Sequence, residues 1–266
     1  MCRLYGVTRA GYYAWRLRGP SMRALDNERI LAAIRQVHLA SHGTYGSPRI
    51  YHTLRNRGEI VGENRIARLM RGAGIQARVA TLRYTVPNMK RFFRIPNQQQ
   101  DKPGDAPNQV WVGDITYLKI GTIYRYLAVV MDKYSRRIVG WAFGRQKNVV
   151  LTLRALNHAV GRRRPPPGLI FHTDRGIEYA ANAFRDRLAE LGLVQSMNRP
   201  GQVTDNAHME SFFHSMKSEI IHGRVFTQDN QMLAALRGYL SFYNRSRIHS
   251  SLNYVSPITY EKMLAQ

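Results

Sequence analysis

From Ala24 onward, apolar residues recur at the spacing of an amphipathic helix. Leu25, Ile30, Leu31, Ile34, Val37 and Leu39 mark one side of a segment reaching about Ala40. The run HGTYG (His42 to Gly46) interrupts that spacing with turn residues. Ser47 is placed to cap, and Pro48 to begin, a second helix whose Ile50, Tyr51 and Leu54 face inward, with Gly58 as its stop. A third helix, about Glu63 to Arg71, turns Ile66, Leu69 and Met70 inward and Arg65, Arg68 and Arg71 outward, and Gly72 and Gly74 close it. Three short helices with a basic last one predict a helix-turn-helix-like DNA-binding module over residues 21–76. Arg65, Arg68 and Arg71, three residues apart, share broadly one face for phosphate or base contact. An ordinary solvated bundle would present the same pattern.

Ahead of this module, residues 1–20 form a basic, aromatic segment ending at Gly19-Pro20. Behind it, QARVATLRYTV could supply a short strand, and KRFFRIPNQQQDKPGDAPNQ is rich in Pro, Gln, Asn and charge. Residues 77–107 therefore read as a basic linker, with Lys90, Arg91 and Arg94 expected on the DNA backbone. The period then changes. Val110 to Ile120 and Thr122 to Met131 are strand-like runs around Gly121, which suggests a hairpin, and Arg136 to Phe143 is a third strand. Next come a helix over about Asn148 to Gly161, a strand over Gly168 to His172 and a helix over Ala181 to Leu191. A strand over Val194 to Met197 and a helix from Asp205 to about Ile221 complete the series. The order βββαβαβα is that of the ribonuclease-H-like fold, an α/β core with a mixed five-stranded sheet and flanking helices. It is expected over residues 108–223, with residues 224–266 as a C-terminal helical extension.

Charge narrows the partner. The 266 residues carry 40 Lys+Arg against 17 Asp+Glu, a formal net charge of +23. The excess is +13 over residues 1–108 and +10 over 109–266, so both halves are expected to face a polyanion. A membrane surface fits less well, because the basic residues are not gathered on one amphipathic helix. A single cysteine, Cys2, excludes an intramolecular disulfide and any zinc site built on two thiolates. No apolar run is long enough to span a bilayer and no secretory signal opens the chain, so a cytoplasmic, nucleoid-associated protein is expected.

In so basic a chain, three carboxylates stand inside distinctive runs: Asp114 in WVGDITYL, Asp174 in FHTDRGIEY and Glu210 in TDNAHMESFFHSMK, with 35 residues between the last two. Phosphodiester cleavage and strand transfer need two oxygens aligned on phosphorus and relief of its charge, which a pair of divalent ions supplies. Hard ions such as Mg²⁺ or Mn²⁺ take oxygen ligands, hence Asp and Glu. In this topology the first and fourth strands are central neighbours, which places Asp114 beside Asp174, with Glu210 on a helix leaning over both. Glu178 is the serious rival, in a loop four residues past Asp174. Glu219 lies nine residues beyond Glu210 and so on the opposite helix face, while Lys217, seven residues on, shares its face and could hold a DNA end. Asp205 is placed to cap the last helix, and Asp132 to pair with Arg136 or Arg137. His172, His208 and His214 lie near the three carboxylates, where a structural role is the simpler expectation.

These runs resemble the OrfB-type transposases of bacterial insertion sequences, of the DDE superfamily, whose catalytic core is similar to retroviral integrases. The matching stretches are WVGDITY, LAVVMDKYSRRIVGW, HTDRG-x-x-Y, DNAHMESFFHSMKSE and YNRSRIHSSLNYVSP, together with HGTYGSPRIYHTLRNRG, NRIARLMRGAGI and GVTRAGYYAW. The resemblance covers nearly the whole chain. It implies a catalytic, metal-binding triad of Asp114, Asp174 and Glu210 with two Mg²⁺ or Mn²⁺ ions, and Lys217 on DNA; Arg175, next to Asp174, is a further expected DNA contact. It implies cleavage at element ends and strand transfer by a free 3′-hydroxyl, on terminal-repeat and target duplexes held by a homo-oligomer in a synaptic complex. The upstream OrfA product, or a frameshift fusion with it, is a further implied partner. Tyr243, Asn244, Arg247, His249 and Leu252 would form the C-terminal signature. Where such chains usually carry Gln before Tyr, this one has Glu178. The competing readings are a nuclease that cuts without joining, and an inactive or accessory DNA-binding protein.

Overall fold

The computed structural model describes residues 6–77, 95–99, 104–199 and 203–264. Lys90, Arg91 and Arg94, and the strand considered in QARVATLRYTV from Arg78 on, lie outside the described residues. The chain forms two compact units, Met1–Arg78 and Val79–Gln266. Among the described residues no helix is long and apolar enough to cross a membrane.

The described residues of the first unit form helices α1 (Arg9–Leu17), α2 (Met22–Ala40), α3 (Ser47–Asn56) and α4 (Glu63–Gly72). Thr8 caps α1 by accepting the Gly11 N–H at 3.0 Å, and the helix leaves Tyr13, Trp15 and Leu17 exposed. The core is Ile30, Ile34 and Val37 of α2 against Ile50 and Leu54 of α3 and Ile66 and Met70 of α4. Leu25 and Leu39 fall off that face and are exposed. Gly46, not Ser47, occupies the N-cap of α3, with Pro48 in the first turn, where a missing N–H costs nothing. Arg65 turns back onto α2, donating to Asp26 at 2.8 Å and to Asn27 at 2.7 and 3.0 Å, so it ties two helices together. Arg68 and Arg71 remain exposed.

The second unit is built on a five-stranded sheet. Its strands are β1 (Val110–Ile120), β2 (Ile123–Asp132), β3 (Ile138–Gly144), β4 (Ile170–Thr173) and β5 (Val194–Met197), in the order β3-β2-β1-β4-β5. The β1–β2 and β2–β3 pairs are antiparallel, and β4 runs parallel to β1 and to β5. This is the ribonuclease-H-like arrangement, with the expected β1 and β4 adjacent. Alternation along β1 divides its side chains between two layers. Val112, Leu118 and Ile120 enter a core with α8 (Ala207–Met216) and α9 (Asp229–Arg245), where Met209, Phe212, Met232, Leu236 and Tyr243 meet them. Trp111 and Ile115 face the other core, under α5 (Val149–Arg163) and α7 (Asn182–Glu190). Fully buried side chains such as Leu127 and Met131 contribute about 2 kcal/mol each by leaving water. Helix α5 rides so close to β3 that a Cβ on Gly140 would collide with the Ala155 carbonyl and Ala159.

The C-terminal segment completes the core. The Asn244 side chain accepts the Ile138 N–H and donates to the Ile138 carbonyl, both at 2.9 Å, along the outer edge of β3. On α10 (Pro257–Leu264), Glu261 receives Arg163, Arg137 and Ser135. Asp132 departs from expectation. It accepts the N–H groups of Asn108, Tyr134 and Ser135 and stands 4.0 Å from Arg163, because the loop after β2 folds its own backbone over the carboxylate.

Candidate functional site

The sheet brings Asp114 and Asp174 together. Gly113 is in register with Thr173 at the end of the parallel β1–β4 pair, so the next residue along β1 and the first residue past β4 are these aspartates. Asp114 Oδ1 accepts its neighbouring Ile115 N–H at 2.7 Å, and Asp174 Oδ1 accepts the Gly176 N–H at 3.0 Å where the chain leaves β4. Burial and the charge of Asp174 push the Asp114 carboxyl well above the usual carboxylate range. Burial likewise raises Asp174, to which Glu178 adds. The charge of Asp174 bearing on Asp114, and that of Glu178 on Asp174, in a desolvated site favours a shared proton or a cation.

Glu210 arrives on α8. The N-cap of that helix is the buried Asn206, whose Nδ2 donates to the Gly113 carbonyl at 3.3 Å and pins the helix start beside Asp114. Glu210 lies in the first turn, exposed, and its charge contributes to raising Asp114. Among the described residues, no three Asp, Glu, His or Cys side chains converge closely enough to hold an ion as they stand.

Helix α8 gives way at Met216 to a π-helical turn, Lys217–Ile221. Lys217, expected to hold a DNA end, is buried, with Nζ 4.4 Å from the centre of the Tyr117 ring. Burial lowers its ammonium, against the pull of Asp114, which places it on the carboxylate side of the helix. Glu219 points the other way, as its spacing predicted. It is buried and receives Arg247 at 2.6 Å and the Tyr239 hydroxyl at 3.0 Å. The segment YNRSRIH thus has a physical task here: Tyr243 packs on Phe212, Asn244 holds β3, and Arg247 braces the π turn.

Two expectations are corrected. Asp205 does not cap α8; it lies in a single 3₁₀ turn, Val203–Asn206, and accepts the Arg199 N–H, the Arg199 guanidinium and Asn97 Nδ2. The Arg199 bonds hold its carboxyl at about 2. Glu178 is not in a loop but on the short helix α6 (Ile177–Ala180), buried, with Oε1 3.6 Å from Lys147 Nζ. Arg175 donates to the carbonyls of Asn198 at 2.6 Å and Ile95 at 3.3 Å, so it braces loops beside the site. His172 contacts Ser196, Asn198 and Gln99 in the interior, and burial takes it down to about 4. His208 is held at about 4 by burial and by Arg136, and His214 is exposed.

Sequence reasoning missed Lys147. It stands in the turn between β3 and α5, half-exposed, pairs with Glu178, and its charge acts on both Asp114 and Asp174. No local pattern marks it, since each of those partners is more than 25 residues away.

Known proteins bear on this arrangement. Residues 104–203 match the integrase core domain family, residues 210–264 a second integrase core domain family, and residues 25–81 an HTH-like domain. The chain is 37% identical, over its whole length and 99% of the relative's, to the insertion element IS600 uncharacterized 31 kDa protein of Shigella sonnei. It is 35% identical to the transposase InsF for insertion sequence IS3A of Escherichia coli strain K12, covering 98% of this chain and 92% of InsF. A solved chain from a simian T-cell lymphotropic virus intasome, in complex with a PP2A regulatory subunit, is 18% identical, covers 86% of this chain and 74% of its own length, and gives a TM-score of 0.49.

Proposed function

This chain belongs to the insertion-sequence transposases, DDE enzymes that break and join DNA, and on that premise we propose that Asp114, Asp174 and Glu210 are its catalytic, metal-holding set. The observation that carries the assignment is the register of β1 on β4, which sets Asp114 and Asp174 side by side at the centre of the sheet. The donor set suits a hard divalent cation. All three groups are carboxylates, and burial together with the charges of Asp174 and Glu210 raises Asp114, a charge build-up that a cation would relieve. Two Mg²⁺ or Mn²⁺ ions held there would supply charge relief on phosphorus and activation of the attacking oxygen.

The chain's own residues divide the remaining work. Asp114 and Asp174 are each held by a backbone N–H, whereas Glu210 is exposed on the first turn of α8, from which it would complete the set. Lys217, held over Tyr117 beside Asp114, is the cation placed to keep a DNA phosphate at the carboxylates. In cleavage, a water oxygen replaces the 3′-oxygen on phosphorus, and the departing oxygen takes a proton. In joining, the freed 3′-hydroxyl attacks a target phosphodiester, one P–O bond forming as another breaks.

Arg68 and Arg71 of α4 are proposed as contacts of the HTH-like unit with duplex DNA, with Lys90, Arg91 and Arg94 following the backbone. Arg65 and Arg175 serve that contact through the elements they brace. Synapsis of two element ends calls for a homo-oligomer, with the OrfA product or a fusion to it as a further partner, acting in the cytoplasm on nucleoid DNA.

The test is strand transfer with a pre-cut 3′ end and Mg²⁺. Asp114→Asn, Asp174→Asn and Glu210→Gln should each reduce joining on the order of 10³-fold or more while duplex binding persists. Full joining by any one variant would remove that residue from the set.

A further inference from the structure

Glu178 is a buried carboxylate with one oxygen left over. Its side chain is 6% exposed, Oε1 faces Lys147 at 3.6 Å, and Oε2 has no hydrogen-bond partner among the described residues. That ion pair does not explain the burial. Lys147 is 45% exposed, and a pair of that kind contributes little, whereas a desolvated carboxylate oxygen without a donor is costly. Nor does packing demand the group, since its neighbours Tyr179 and Ala180 fill the core below it with apolar surface.

The direction of the oxygen is informative. Glu178 Oε2 and Asp174 Oδ1 approach each other across Gly176, lying 2.9 and 3.0 Å from the position that a Cβ on that glycine would take. The glycine backbone there is ordinary (φ −63°, ψ 137°), so its lack of a side chain makes room for the two carboxylate oxygens and does not relieve a strained turn. Lys147 is the other half of the arrangement. One ammonium pairs with Glu178 and acts on Asp114 and Asp174 together, from a turn at the surface.

We propose that Glu178 is a fourth carboxylate of the divalent-cation site, binding the ion jointly with Asp174, and that Lys147 is the tethered counter-ion which the cation displaces. The proposal rests on the reading of Asp114 and Asp174 as metal-holding residues. It gives the orphaned oxygen a ligand, and it gives the three inner carboxylates a compensating charge when no ion is bound.

Titrating Mn²⁺ into the metal-free full chain, with free Mn²⁺ followed by electron paramagnetic resonance, tests this without DNA or catalysis. Glu178→Gln should raise the Mn²⁺ dissociation constant tenfold or more, as should Asp174→Asn. Gly176→Ala, whose methyl would push both oxygens aside, should do the same. Lys147→Met should tighten Mn²⁺ binding several-fold, because it removes the competing cation; a merely structural lysine would not give that sign. An unchanged constant for Glu178→Gln beside a weakened one for Asp174→Asn overturns the role of Glu178 and leaves the metal reading standing. Unchanged constants for both variants overturn the two readings together. Should Glu178→Gln lower the melting temperature of the metal-free protein, Lys147→Met decides: tighter binding supports the proposal, and unchanged or weaker binding overturns it.

Discussion

His172 shows what a single residue in this core does to pH dependence. Its imidazole is held at about 4 in the folded chain against an ordinary 6.5, because burial among Ser196, Asn198 and Gln99 disfavours the cation. The unfolded chain therefore takes up the proton first as pH falls. Stability from the neutral ring is present above about pH 6.5 and is lost progressively toward pH 4. His172→Gln should flatten the melting temperature between pH 7 and 5, with His208 leaving a smaller residual slope; an unchanged profile would count against this. Asp114 predicts the reverse trade. Its carboxyl is raised by burial and by Asp174, so its charged form opposes folding at neutral pH. Asp114→Asn should abolish joining and yet raise the melting temperature of the metal-free protein by about 2–4 °C, the shift for roughly 1 kcal/mol in a domain of this size, measurable by calorimetry.

At the scale of elements, strands and helices were legible where the period was clear. The runs in β1 and β2 and the turn at Gly121 were readable because apolar side chains dominate and turn chemistry separates them. Features set by distant partners were not. Asp205 has the position of a cap, but its bonds go to Asn97 and Arg199. The π turn after Met216 is tied to Arg247, 30 residues beyond Lys217, and helical counting from Glu210 contains no sign of it. Glu178 was visible as a rival carboxylate, but its burial and its pairing with Lys147 depend on where β3 ends relative to β4. The brace itself is testable. Arg247→Met leaves Glu219 charged, buried and short of donors, and should cost about 3–5 kcal/mol in urea unfolding. A double replacement of Arg247 and Glu219 by Met should recover most of that loss.

For the whole molecule, the formal charge of +23 is spread over both units, so electrostatics should dominate encounter with DNA. If six or more phosphates are neutralised, affinity for a random duplex should fall about 10³-fold or more between 50 and 200 mM salt, as read by fluorescence anisotropy. A shallow dependence would mean that the positive surface meets some other partner. Charge of one sign also discourages copies of the chain from meeting unless DNA lies between them. That restraint has a local counterpart at the outer edge of the sheet. By taking both backbone groups of Ile138, the Asn244 amide imitates one residue of a sixth strand without offering a further edge. The sheet is thereby closed to strand addition at that point, so molecules crowded along one DNA have no backbone template there from which to begin cross-β aggregation.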